Sequence, residues 1–134
     1  MFIAHNKVRM NDTDMAGILY FGNQFRFVHD AWEDLAESEG FSFDKVLLKE
    51  DFLFVIVHVE ADYLASLKVG DSLEVQVTLE NIGTTSFTLA YSILKSDKTV
   101  AGRAKTVHVT IDRQSRKKIS VPSKLREILE KHLE

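Results

Sequence analysis

Asn11-Asp12-Thr13-Asp14-Met15-Ala16-Gly17-Ile18-Leu19-Tyr20-Phe21-Gly22-Asn23 is a polar turn that runs straight into the one long helical pattern in the first half of the chain. It places two carboxylates two residues apart, then a glycine that permits a tight approach, then backbone N–H groups left over at a helix start. Such N–H groups lack intrahelical partners and sit at the positive end of the helix dipole, so they can hold an oxygen that becomes negative. A carboxylate beside that helix start is suited to acyl transfer.

Outward from the turn, Phe21, Phe25, Val28, Trp32 and Leu35 recur at alternating steps of four and three. That spacing predicts a helix from Asn23 to near Gly40 with these residues on its buried face, and Arg26, Asp30, Glu33, Asp34 and Glu37 on the others. Upstream, Phe2 to Met10 predicts a first strand. Phe41 to Asp51 alternates poorly and is expected to be a connector with a helical turn and an exposed end at Lys49-Glu50-Asp51. In Phe52 to Leu64 the period falls to two: Leu53, Val55, Val57, Val59, Ala61 and Tyr63 share one face, and Phe52, Phe54 and Ile56 precede His58, Glu60 and Asp62 on the other. A strand apolar on both faces at one end is expected to meet another body, here a second subunit near Phe52 to Ile56.

Two clean strands follow, with Leu73, Val75, Val77 and Leu79 and then Phe87, Leu89, Tyr91 and Ile93 pointing inward. A last strand runs through Val107, Val109 and Ile111, and after Pro122 a helix capped by Ser123 is expected to continue to the chain end. Consecutive short strands are expected to pair antiparallel. Strand, long helix, then four strands predicts an α+β fold in which one sheet covers one apolar helix.

With 134 residues, 45% of them hydrophobic and 28% charged, the chain is expected to be a single globular domain spanning residues 1–134. A formal net charge of −3 offers no footprint for nucleic acid. The absence of cysteine excludes disulfides, thiolate nucleophiles and cysteine–zinc sites. No apolar run is long enough to span a bilayer and no export signal stands at Met1 to Arg9, so no membrane association and a cytoplasmic location are expected. Counting a calcium loop from Asp12 puts Gly17 at the sixth place, but Ala16 and Asn23 stand where ligands are required. His5, His29, His58, His108 and His132 lack the spacing of paired metal ligands, so no metal site is expected. No Gly-x-Ser-x-Gly pattern supports a serine nucleophile.

The order of elements, with Asp12-Thr13-Asp14-Met15-Ala16-Gly17-Ile18-Leu19-Tyr20-Phe21, resembles the hotdog-fold thioesterases of the 4-hydroxybenzoyl-CoA thioesterase family over nearly the whole chain. Within that family the segments Tyr20-Phe21-Gly22-Asn23-Gln24-Phe25 and Val57-His58 are similar to the small aryl-CoA thioesterases, including those acting on 1,4-dihydroxy-2-naphthoyl-CoA. The resemblance implies an antiparallel sheet of about five strands wrapped around one long helix, with a C-terminal helix. It implies hydrolysis of an aryl-CoA or medium-chain acyl-CoA, no separate cofactor because coenzyme A is part of the substrate, and a homodimer or homotetramer with active sites between subunits. Asp14 matches the catalytic carboxylate, acting as nucleophile or as base. The Phe21 backbone N–H matches the group that polarises the carbonyl, and Gly17 the glycine that admits the substrate. Asn23 matches a polar substrate-side position, whereas Asp12 is expected mainly to cap the turn.

Under that resemblance Tyr20, Phe25 and Phe54 are the expected walls of the acyl pocket, and His58 is placed there by strand parity. Arg103, Lys105, Arg116, Lys117 and Lys118 are the expected holders of the coenzyme A phosphates. A thioester has a good leaving group, so one carboxylate and one oxyanion-holding N–H can suffice for its hydrolysis. The competing readings are a hydratase or dehydratase, which would want a histidine paired with a carboxylate near this turn, and a non-catalytic acyl-CoA-binding domain.

Overall fold

The computed structural model describes residues 1–134. Strand β1 (Phe2–Lys7) leads through a 3-10 turn at Met10–Asp12 to a hairpin loop, then through a second 3-10 turn at Phe21–Asn23 into helix α1 (Gln24–Ser38). Helix α2 (Phe43–Lys49) and strands β2 (Phe52–Tyr63), β3 (Ser72–Ile82), β4 (Ser86–Lys95) and β5 (Val100–Asp112) follow, and helix α3 (Ser123–Glu130) comes last. The strands form one antiparallel sheet in the order β1-β3-β4-β5-β2, with α1 against one face. No helix is long and apolar enough to cross a membrane.

The alternation predicted for β3 and β4 is present: Leu73, Val75, Val77 and Leu79 are buried, as are Phe87, Leu89, Tyr91 and Ile93. These residues form a wall, and α1 lays Phe27, Val28, Ala31, Trp32, Leu35 and Ala36 against it. The buried stripe is shifted from the predicted one. Phe21 is 64% exposed and Phe25 only half-buried, because the chain enters the helix through a 3-10 turn. Three residues per turn instead of 3.6 carry Phe21 off the face that the later residues share.

Four further departures have local causes. The connector is a helix, α2, whose Phe43 ring packs on Trp32 and Phe54. In β2 the register slips between Ile56 and His58, leaving Val57 as the extra residue of a bulge. Before the bulge Phe54 and Ile56 face α1; after it Val59 does, so no single parity describes the strand. Strand β2 also pairs with β5 rather than with its successor β3, which makes it an edge strand. Finally, α3 begins without a serine cap and stops at Glu130, and the last residues instead run beside β3, where the Leu79 N–H donates to the His132 carbonyl at 2.7 Å.

The helix start is tied to the sheet by Gln24. Its buried amide donates to the carbonyls of Asp62 (3.3 Å) and Arg103 (3.2 Å), bridging β2 and β5. This is possible because Gly102 leaves the space: a Cβ there would lie 2.6 Å from the Gln24 Oε1. Gly102→Ala is therefore expected to displace that amide and lower the urea midpoint by the equivalent of about 1–3 kcal/mol. An unchanged midpoint would show that Gln24 does not need this niche.

Candidate active site

The loop between the two 3-10 turns is a small hairpin. Thr13 pairs with Leu19, the Asp14 N–H donates to the Ile18 carbonyl at 3.0 Å, and the Gly17 N–H donates to the Asp14 carbonyl at 3.0 Å. Gly17 sits at φ +78°, a left-handed conformation that glycine adopts without strain, and nothing lies within 4 Å of where its Cβ would be. Asp14 is at the tip, exposed, with its Oδ1 accepting the Ala16 N–H at 2.9 Å. That bond orients the carboxylate by its own turn and leaves the other oxygen free.

Asp12 has a different task. It is 2% exposed, and its carboxylate accepts both Arg26 Nε (2.8 Å) and Nη2 (2.7 Å) as well as the Arg9 N–H (2.8 Å). The Arg26 guanidinium holds the Asp12 carboxyl below the usual carboxylate range. Its carbonyl accepts the Tyr20 N–H and the Asn23 side-chain amide, each at 2.9 Å. Asp12 thus caps its own 3-10 turn by accepting the Arg9 N–H, as expected, and in addition clamps both ends of the hairpin to α1. Asn23, expected on the substrate side, has its amide engaged in this clamp.

Past the clamp, the N–H groups of Phe21 and Gly22 donate to nothing in the chain, as befits the first residues of a helical turn. The Phe21 carbonyl accepts the Tyr63 hydroxyl at 2.6 Å, which fixes this peptide against the end of β2. Beside it opens a cavity of about 360 Å³ walled by Ile18, Phe21, Gln24, Tyr63 and Leu64. A second cavity, about 230 Å³, lies further along β2 between Phe25, Trp32, Ile56, Val59 and His108, and a third, about 100 Å³, at Phe43, Leu53 and Phe54. Together they trace an apolar groove between the helices and the edge strand, beginning at the Phe21 amide.

The residues expected at the site are therefore only partly brought together. Asp14, Gly17, Tyr20 and Phe21 share the loop, with the Tyr20 and Phe21 rings 4.7 Å apart. Phe25 and Phe54 wall the second and third cavities. His58 is not in the groove: the bulge turns it to the outer face of the sheet, 3.9 Å from Glu60. Arg103 and Lys105 also lie on that outer face, with Lys105 paired to Glu80 at 2.8 Å. Arg116, Lys117 and Lys118 lie at the opposite end of β5, roughly 20–30 Å away at ~3.3 Å per residue, so the five cations of one chain do not form one phosphate site. Arg26, Gln24 and Tyr63 had no signal in the sequence, because each acts through a partner distant along the chain.

Residues 8–129 match the model of the thioesterase-like superfamily. This chain belongs to that superfamily. A 1,4-dihydroxy-2-naphthoyl-CoA hydrolase from Nostoc punctiforme is 33% identical over 129 residues, covering 96% of this chain and 86% of that protein. One of the same name from Synechocystis is 32% identical, covering 90% of this chain and 88% of that protein. The crystal structure of a 1,4-dihydroxy-2-naphthoyl-CoA thioesterase from Synechocystis superposes with a TM-score of 0.90 at 30% identity, covering 96% of this chain and 94% of that one. The fold is thus the hotdog fold, and the protein is a hotdog-fold thioesterase.

In this thioesterase the clamp should be visible in the pH dependence of stability. A carboxyl whose pKa is lowered by folding contributes stability above its unfolded value, about 3.9, and loses it as the pH falls through the folded value. Arg26→Ala is expected to cost roughly 1–3 kcal/mol at pH 7 by leaving Asp12 buried without its cation. In urea titrations that difference should shrink as the pH falls below about 4. A difference independent of pH would contradict the assignment.

Proposed function

We propose that this thioesterase hydrolyses an aryl-CoA thioester, with the Phe21 N–H holding the carbonyl oxygen and Asp14 supplying the carboxylate. The observation that carries this is the unengaged N–H of Phe21 at the mouth of an apolar groove, with Asp14 on the hairpin that leads into it. The naphthoyl-CoA hydrolases among its relatives support an aromatic acyl group, and so do the Phe25, Trp32 and Phe54 rings along the groove.

Two routes use the same atoms. As nucleophile, an Asp14 oxygen bonds to the acyl carbon and coenzyme A leaves as thiolate; water then attacks the mixed anhydride and regenerates the carboxylate. As base, Asp14 takes a proton from water as its oxygen bonds to the acyl carbon, and the thiolate leaves from the tetrahedral intermediate. Either way the developing oxyanion needs the N–H at the helix start, where the dipole adds to the hydrogen bond.

The proposal includes a second copy of the chain. Strand β2 presents an unpaired edge with Val55, Ile56, Val57 and Val59 all exposed, and such an edge calls for covering. Antiparallel pairing of two β2 edges would close the groove over the Asp14 loop. It would also turn the Arg116–Lys118 segment of a partner toward this Phe21, where that segment can meet the coenzyme A phosphates. A cytoplasmic location fits such a substrate.

Purified protein is expected to release thiol from benzoyl-CoA or 1,4-dihydroxy-2-naphthoyl-CoA, and Asp14→Asn to lower kcat by about a hundred-fold or more while the protein stays folded and associated. No release from any aryl-CoA, or full activity in Asp14→Asn, overturns the proposal. Val57→Lys, a charge placed on the exposed bulge, is expected to sediment as a monomer and lose activity. An associated, active Val57→Lys would remove the shared edge.

A further inference from the structure

The wall of the second cavity carries one polar group that a ligand can reach. Tyr91, Thr106 and His108 also line it, but they are buried and bonded to one another, the Tyr91 hydroxyl to the Thr106 hydroxyl and that hydroxyl to His108 Nε2, each at 2.8 Å. His29 lines the same cavity and is exposed. The histidine hydrogen bonds and ion pairs of the chain involve His58, His108 and His132, so the His29 imidazole is free to meet a ligand.

The helix dictates this placement. Phe25 and His29 are one turn apart on α1, so their side chains stand one above the other on the same side of it, and both line the cavity. Two neighbours locate the imidazole at the groove. Its centroid is 6.3 Å from the Phe43 ring, edge-on at 64°, and Phe43 in turn packs on Trp32 and Phe54. Its charge is also felt by His108, whose pKa is pushed down to about 4 by burial first and by a protonated His29 second. His29 thus interrupts a wall that is otherwise aromatic and aliphatic. An imidazole keeps at least one N–H whether or not it is protonated, and the neutral ring also has an acceptor nitrogen. A hydroxyl, which both accepts and donates, is its natural complement.

We propose that His29 is a specificity-determining residue for the acyl group, its imidazole hydrogen-bonding a hydroxyl on an aromatic ring lodged in the second cavity. This deepens the aryl-thioester reading and rests on it for the identity of the ligand. From Phe21 to His29 the helix climbs roughly 12 Å at ~1.5 Å per residue, and the His29 side chain leans back toward the helix start, which shortens the gap. A carbonyl held at Phe21 and a hydroxyl on the far side of its ring span what is left. Ile56 and Val59, both exposed, form the rim through which the ring enters. Discrimination arises from water. A ring without the hydroxyl displaces water from the imidazole and returns no hydrogen bond, whereas a hydroxylated ring replaces the bond it removes.

The test uses free acids, so its outcome does not depend on turnover. Dissociation constants are measured by calorimetry for 1,4-dihydroxy-2-naphthoic acid and for 1-hydroxy-2-naphthoic acid, which lacks only the hydroxyl on the far side of the ring. Wild type is expected to bind the dihydroxy acid more tightly. His29→Phe keeps a ring in the wall but removes both nitrogens, and is expected to weaken the dihydroxy acid roughly five-fold while leaving the monohydroxy acid within about two-fold of wild type. His29→Gln, which restores a donor and an acceptor, is expected to recover most of that loss. Failure of wild type to bind the dihydroxy acid or to prefer it, an equal effect of His29→Phe on both acids or none on either, or a His29→Gln no better than His29→Phe overturns the assignment. If the acids behave as expected but no CoA ester is hydrolysed, the role of His29 stands and the hydrolysis proposal falls.

Discussion

A carboxylate buried to 2% exposure is tolerable only if its charge is met, and the bidentate pair between Asp12 and Arg26 meets it. The rest of the arrangement follows from that requirement. With its side chain held by α1 and its carbonyl holding Tyr20 and Asn23, Asp12 fixes where the hairpin leaves the sheet and where it enters the helix. Arg26 in turn reaches Asp30, which accepts from Asn6 of β1, so loop, helix and sheet edge share one polar network. The proposed chemistry needs Asp14 and the Phe21 amide in a fixed relation, and this network ties Asp12, two residues before Asp14, to Tyr20 and Asn23, which flank Phe21.

Beyond the clamp the fold supplies a groove instead of a closed pocket. Gln24, admitted by Gly102, sets the start of α1 over the ends of β2 and β5, and the Tyr63 hydroxyl holds the Phe21 peptide from the other side. From there α1 and β2 run side by side with apolar hollows between them. One wall of the groove is an unpaired edge strand, which is why a second copy of the chain enters the functional proposal. The proposed acyl recognition and association both fall on β2, while the proposed catalytic groups lie on the loop beside its end.

The turn itself was legible in the sequence because it is local. Asp14, Gly17 and Phe21 lie within a few residues of one another, and a glycine between a polar turn and a helical pattern has few structural uses. The sheet was legible where alternation is uninterrupted, in β3 and β4. Legibility failed where one residue shifts the phase. The extra Val57 turned His58 away from the groove, and the 3-10 entry carried Phe21 off the buried face of α1. Gln24, Arg26 and Tyr63 were silent because their partners are tertiary.

The proposed hydrolysis depends on the Phe21 N–H drawing charge onto the thioester oxygen. The most direct measurement is the infrared carbonyl stretch of carbonyl-13C aryl-CoA bound to Asp14→Asn, in which turnover is stopped and the helix start is intact. The bound stretch is expected at lower frequency than for the same thioester free in water, because a helix-start donor polarises the carbonyl more than solvent does. A bound stretch at or above the free value would contradict it.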